Sequence, residues 1–198
     1  MKSRTGRLTL EGKEKKLITL LIISPILLVL GIFTVTFFHK TGTSQPLQKL
    51  EPPREGSPAP NFTFPDLEGR PVSLSDFKGK VVFVNIWATW CPTCVDEMAS
   101  MQQLYDRFKG RDFEILSVSI DALGEQVVVP FMKKHQLTFP VLLDPTGKIK
   151  KLYATTGVPE SFIVDKNGTL VLKVIGPQNW AAREVVTYFE NLLKQGSG

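Results

Sequence analysis

Cysteine and histidine are scarce in this chain of 198 residues, with two of each. Two cysteines exclude a small scaffold stapled by several disulfides and any zinc site built from four thiolates. No glycine-rich phosphate loop is present, so the usual signature of nucleotide binding is missing. Charge of one sign is also lacking over most of the chain. Of 24 basic and 19 acidic residues, seven and two lie within residues 1–40, leaving seventeen of each for the remainder. The net charge of +5 therefore belongs to the head, and the neutral body offers no electrostatic footprint for nucleic acid. With 42% hydrophobic and 22% charged residues, the composition is that of a folded protein. Its length suits one domain of ordinary size plus an appendage.

The appendage is the head itself. Residues 17–38 carry no charge and are dominated by Leu, Ile, Val and Phe. As a helix they extend about 33 Å, enough to cross a hydrocarbon core about 30 Å thick. Residues 1–16 hold Lys2, Arg4, Arg7, Lys13, Lys15 and Lys16 against Glu11 and Glu14. That excess places the N-terminus in the cytoplasm and everything after Phe38 outside it. Pro25 inside the run is tolerated better in a membrane helix than in a soluble one. A cleaved secretory signal is the competing reading, but the run is long for one and ends in Phe37, Phe38, His39 and Lys40 without an Ala-x-Ala site. An uncleaved signal anchor is the expectation. Residues 39–57, rich in polar side chains, Pro, Gly and Ser, read as a flexible tether to a domain spanning 58–195.

Within the domain, residues 61–65 and 70–74 are two short strands around the turn Asp66-Leu67-Glu68-Gly69. Residues 80–87 (KVVFVNIW) are nearly all β-branched or aromatic, as in a strand buried on both faces. The period then changes: Val95, Met98, Met101, Leu104, Tyr105 and Phe108 recur at spacings of three and four, predicting an amphipathic helix closed by Gly110. Met98 and Met101 are expected in the core. A second strand is predicted over 113–120, a helix over 126–135 with Pro130 an objection, and a short strand over 140–143. His135 is expected on the surface of that second helix. Residues 162–164 and 170–175 flank Asp165-Lys166-Asn167-Gly168, a strong hairpin signal, and residues 180–194 read as a closing helix. The order predicts an α/β domain with a central mixed β-sheet flanked by helices on both faces.

Both cysteines lie in WATWCPTC, residues 87–94, after a buried strand and at the opening of a helix. At the helix N-cap the Cys91 sulfur meets unpaired backbone N–H groups and the positive end of the dipole, which favour thiolate and make it the nucleophile. Pro92 suits the first helical position, since it has no N–H to leave unpaired. Cys94, one turn inside, is placed to resolve a mixed disulfide. A purely structural bridge closing so short a loop constrains the unfolded chain little. Half a metal site lacks further ligands, because His39 and His135 have no ligand-like spacing to the pair. No metal and no cofactor is expected.

The WATWCPTC segment, the strand before it and the later residues 156–165 (TGVPESFIVD) resemble the thioredoxin superfamily. More narrowly they are similar to its membrane-anchored TlpA/ResA/CcmG branch of bacterial thiol–disulfide oxidoreductases. The resemblance covers about residues 59–193 and implies a thioredoxin-like fold with an extra N-terminal β-hairpin, preceded by one transmembrane helix. It implies that Cys91 attacks, Cys94 resolves and the two form a redox disulfide. It also implies that Pro159 is a cis proline beside them, with the Val158 backbone offered to a substrate strand. Glu97 stands where ResA-like members keep a glutamate beside the site, as acid/base or tuner of the thiols. With Asp96 it also reads simply as an acid near a helix start. Glu160 resembles a substrate-recognising position and equally reads as an exposed strand residue. Trp90, Pro92 and Thr93 complete the expected docking surface, while Trp87 is expected in the core.

The resemblance implies a membrane-tethered reductase of protein disulfides on the extracytoplasmic face of a bacterial cytoplasmic membrane. Its substrates would be C-x-x-C-H cysteines of apocytochrome c, and its electron donor a membrane thiol transporter of the DsbD/CcdA type. Outside the cytoplasm such cysteines are oxidised and need a dedicated reductant. Proline at position 92, with Thr93 where the family commonly has proline, keeps open a thiol oxidant or isomerase of secreted proteins. A reductant or metallochaperone for copper-site cysteines is the third reading. A peroxiredoxin-type peroxidase lacks its Pro-x-x-x-Thr/Ser-x-x-Cys pattern: Val84 and Ala88 precede Cys91 at those spacings, Trp87 and Cys91 precede Cys94.

Overall fold

The computed structural model describes residues 52–195. Strands β1 (Thr63–Pro65) and β2 (Pro71–Ser73) form a two-stranded antiparallel ribbon that runs into a 3₁₀ turn at Leu74–Phe77. The main elements follow as β3 (Val81–Trp87), α1 (Pro92–Phe108), β4 (Phe113–Ser119), α2 (Glu125–Lys134) and β5 (Val141–Leu143). A short helix α3 (Lys148–Leu152) precedes β6 (Glu160–Val164), β7 (Leu170–Ile175) and α4 (Arg183–Lys194). The sheet order is β5-β4-β3-β6-β7. β3, β4 and β5 are parallel, whereas β6 and β7 are antiparallel additions on the other side of β3. Parallel neighbours need a crossover, and α1 and α2 supply it. The mixed sheet of the expectation is therefore present.

All seven residues of β3 are buried, because it lies at the centre of the sheet between two apolar layers. Phe83 and Trp87 join Met98, Met101 and Phe108 of α1, Met132 of α2 and Phe189 of α4 in one layer. Val82, Val84 and Ile86 face the other, with Phe64 of β1, Ile149 of α3 and Tyr153. The face opposite α1 is thus covered by the ribbon and one short helix. α3, masked in the sequence by its length of five residues, starts after Gly147, whose φ of +65° suits glycine. α2 runs through Pro130, its inner face held by buried Val128 and Met132.

The end of the expected tether differs from the sequence reading. Gly56 N–H donates to the Leu170 carbonyl at 2.8 Å, Leu170 N–H to that of Ser57 at 2.9 Å, and the Glu55 carboxylate takes Lys173 N–H at 3.0 Å. The outer edge of β7 offers unpaired backbone groups, and these residues satisfy them. The basic segment 1–16, the 17–38 anchor and most of the 39–57 tether lie outside the described residues. Among the described residues, no helix is long and apolar enough to cross a membrane.

β3 and β4 end side by side, with Trp87 opposite Ser119. The two loops that follow are tied together by buried Asp121, whose carboxylate accepts Thr89 N–H at 2.9 Å, Thr89 Oγ1–H at 2.6 Å and Ser119 Oγ–H at 2.8 Å. Asp121→Ala strands these donors and is expected to lower unfolding stability by about 2–4 kcal/mol. Urea denaturation of the full chain checks this, and a change within about 0.5 kcal/mol would contradict it.

Candidate active site

β3 delivers the chain to residues 88–90 at the carboxyl end of the parallel strands, where open α/β sheets place their sites. Cys91 takes the N-cap of α1 with extended backbone (φ −94°, ψ 107°), Pro92 follows at the first helical position, and Cys94 N–H donates to Cys91 Sγ at 3.2 Å. Cys91 and Cys94 form a disulfide, with Cα atoms 5.3 Å apart. Cys91 is 5% exposed and Cys94 fully buried, the asymmetry expected of an attacking and a resolving thiol.

The opposite wall comes from the loop before β6. The Val158–Pro159 peptide is cis, as the resemblance implies, and Cys91 Sγ lies 3.5 Å from the Val158 carbonyl oxygen. Thr93 Oγ1 is 3.4 Å from the same sulfur. Pro92 and Thr93 are exposed, Val158 is half-buried, and Trp90 presents 64% of its surface to solvent. Trp90, Pro92 and Thr93 adjoin the disulfide in the chain, and the Val158 carbonyl faces it from the loop before β6. Trp87 is buried against Phe131, ring centroids 5.1 Å apart.

Glu97 and Glu160 sit differently from simple exposed acids. Glu97, three residues after Cys94 and so on the same helical face, is 2% exposed. Its Oε1 accepts Asn85 Nδ2–H at 2.9 Å; its Oε2 accepts the Trp180 indole N–H at 2.9 Å and Gln178 N–H at 3.2 Å. The helix-dipole reading fails, because the side chain turns inward to these donors while Asp96 stays exposed. Burial pushes the Glu97 carboxyl above the usual carboxylate range, against the pull of its three donors. Above it, Glu97 lines an open groove of about 480 Å³ with Ser100, Gln178 and Asn179.

Glu160 corrects both readings of that residue. It is fully buried, neither an exposed strand residue nor a surface for substrate. Its Oε1 accepts Thr156 N–H at 2.8 Å and Thr156 Oγ1–H at 2.7 Å, and Lys173 Nζ stands 3.1 Å from Oε2 as an ion pair without hydrogen-bond alignment. Burial opposes its charge, yet the Thr156 bonds and the Lys173 charge together hold its carboxyl below the ordinary range. Its work is to fix the 156–159 loop against β7.

Asn85, Ser161, Gln178, Trp180 and Asp121 were not singled out from the sequence. The one visible signal was Asn85, an amide within an apolar strand. Trp180 precedes α4 and packs on Phe83, with centroids 4.4 Å apart, while its N–H finds Glu97. His135 caps α2, half-buried on Phe131. Among the described residues, no cluster of His, Cys and carboxylate side chains is arranged to hold a metal ion.

Because burial favours protonated Glu97, the folded chain binds this proton more tightly than the unfolded chain does. Its contribution to stability is then full below the unfolded carboxylate range and lost as pH rises through the higher folded value. Glu97→Gln lacks that titration. In the oxidised full chain, the stability of the variant relative to the parent is expected to improve as pH rises from about 4.5 and then level off. Urea melts at a series of pH values check this; a pH-independent difference would contradict it.

Residues 56–173 match the AhpC/TSA family. A thiol-disulfide oxidoreductase ResA from Bacillus thuringiensis subsp. konkukian (strain 97-27) is 37% identical over 166 residues, covering 84% of this chain and 91% of that protein. ResA from Bacillus subtilis (strain 168) is 36% identical over 144 residues, 72% of this chain and 77% of the relative. Among solved structures, a candidate thiol:disulfide interchange protein DsbE from Chlorobium tepidum superposes with a TM-score of 0.66 at 30% identity, covering 71% of this chain and 99% of that one.

Proposed function

The chain belongs to the AhpC/TSA family and, within it, to the ResA-type thiol–disulfide oxidoreductases; from that premise we propose that it reduces protein disulfides outside the cytoplasm, foremost the C-x-x-C-H pairs of cytochrome c precursors. The observation that carries the reading is the Cys91–Cys94 pair at the start of α1 with a buried carboxylate one turn beyond Cys94. In the donor direction, the Cys91 thiolate attacks one sulfur of the substrate disulfide and releases the other as a thiol. The Cys94 thiol then loses its proton and attacks Cys91 Sγ. The second substrate thiol leaves, and two electrons have passed from the dithiol to the substrate.

That second step needs a base for a thiol that water does not reach, and we assign it to Glu97, buried one turn beyond Cys94 on the same face of α1. The Cys94 N–H, aimed at Cys91 Sγ, stabilises charge on the attacking sulfur. Exposed Trp90 and the Val158 backbone receive the substrate segment. The apolar run at 17–38 supports a single-pass anchor with the domain on the extracytoplasmic side. A DsbD/CcdA-type thiol transporter in the same membrane would re-reduce the pair, and shared anchoring raises the effective concentration of both. Pro92 directly after Cys91 favours the opposite reading, an oxidant of secreted thiols.

An oxidised peptide containing C-x-x-C-H decides between them. The reduced full chain is expected to release both peptide thiols while forming one Cys91–Cys94 disulfide. Cys94→Ser is expected to hold the peptide as a mixed disulfide on Cys91, seen by intact mass, and Cys91→Ser to hold none. A peptide left oxidised by the reduced chain, together with oxidation of the reduced peptide by the disulfide form, would overturn the reductase reading.

A further inference from the structure

Asn85 interrupts a strand that is otherwise apolar and entirely buried. Its Nδ2 donates twice, to Glu97 Oε1 at 2.9 Å and to Ser161 Oγ at 3.0 Å, while its buried Oδ1 has no donor. A buried amide with one atom unpaired is less favourable than an apolar side chain of the same shape, so stability does not account for it. The amide orientation is nonetheless determined: reversed, it would set Oδ1 against the Glu97 carboxylate. Ser161 lies on β6, two residues after Pro159, and the Asn85 amide thereby joins the strand of the Val158–Pro159 wall to the helix that carries both cysteines.

We propose that Asn85, locked by Ser161, is the positioning residue that holds the Glu97 carboxylate in place as proton acceptor for the Cys94 thiol. This rests on the role given to Glu97 in the reductase reading and adds the residues that make that role possible. The proton passes from Cys94 Sγ to a Glu97 carboxylate oxygen as Cys94 attacks Cys91 Sγ; on departure of the substrate thiolate it returns to bulk. Around Glu97, its own helix presents Cys94 and exposed Asp96. β3 and β6 face it with Asn85 and Ser161, the loop before α4 with Gln178 and Trp180, and Glu184 of α4 lies beyond Trp180. None of the three residues that hydrogen-bond to the Glu97–Asn85 pair, Ser161, Gln178 and Trp180, titrates near neutral pH, so the proton acceptor here is Glu97 alone.

The test uses 5,5′-dithiobis(2-nitrobenzoate), a small aromatic disulfide that needs no natural partner. The reduced full chain releases one thiolate on attack by Cys91 and a second when Cys94 resolves. The pH dependence of the second phase reads the Cys94 step alone. Glu97→Gln is expected to remove its inflection. Asn85→Ala is expected to move the inflection to higher pH by about one pH unit, a tenfold change in proton affinity, because the carboxylate loses a donor. Ser161→Ala should move it the same way by less, and carries the test if Asn85→Ala does not fold. In the Glu97→Gln background, Asn85→Ala should produce no further change in the profile, which a merely structural role would not give. An inflection unmoved in both Asn85→Ala and Ser161→Ala, or a shift that persists in the Glu97→Gln background, overturns the proposal. An inflection that survives Glu97→Gln removes the base from the reductase reading as well.

Discussion

The structure turns on one placement: a sulfur held where a buried strand passes the chain to a helix. Cys91 is at that junction because β3 is central and rigid, because Asp121 ties the following loop to the end of β4, and because Pro92 can begin a helix without an N–H to satisfy. From there Sγ meets the Cys94 N–H on one side and the Val158 carbonyl on the other, 67 residues away in sequence. The antiparallel pairing of β6 with β3 brings that second wall into reach, and Glu160 holds the loop leading into it. β3, Asp121, Pro92 and Glu160 position the sulfur without touching it.

Burial of Glu97 sets a second constraint. A carboxylate removed from water requires donors, and here three come from two separate parts of the chain: Asn85 of β3, and Gln178 and Trp180 of the loop before α4. Ser100 adds to this junction, its hydroxyl accepting Trp180 N–H at 3.1 Å. The last helix is therefore attached to the cysteine-bearing helix through the same group proposed to serve the buried thiol. Satisfied by donors yet destabilised by burial, the carboxylate is poised to exchange a proton, a property that a fully solvated glutamate would not have.

Much of this was legible in the sequence, for identifiable reasons. β3, β4 and α1 are long enough for their periodicity to speak, and the Asn167-Gly168 turn announces its hairpin. Cys91, Cys94 and Pro159 carry their context with them in WATWCPTC and TGVPESF. α3, at five residues, is too short to show a period, and the attachment of residues 55–57 to the edge of β7 depends on backbone groups that have no sequence signature. Glu160 looked like an exposed acid because strand position alone does not reveal that Thr156 and Lys173 surround it. The partners of Glu97 were illegible for the same reason: Asn85, Gln178 and Trp180 come together only through tertiary packing.

The central claim is that this dithiol gives electrons away. The most direct measurement is the equilibrium reduction potential of the full chain against a thiol redox buffer. Thioredoxin lies at about −270 mV and the strong oxidant DsbA at about −120 mV, a gap of about 7 kcal/mol in dithiol stability. The account predicts a value near the thioredoxin end. A value near the DsbA end would contradict it and identify the Cys91–Cys94 pair as a source of disulfides.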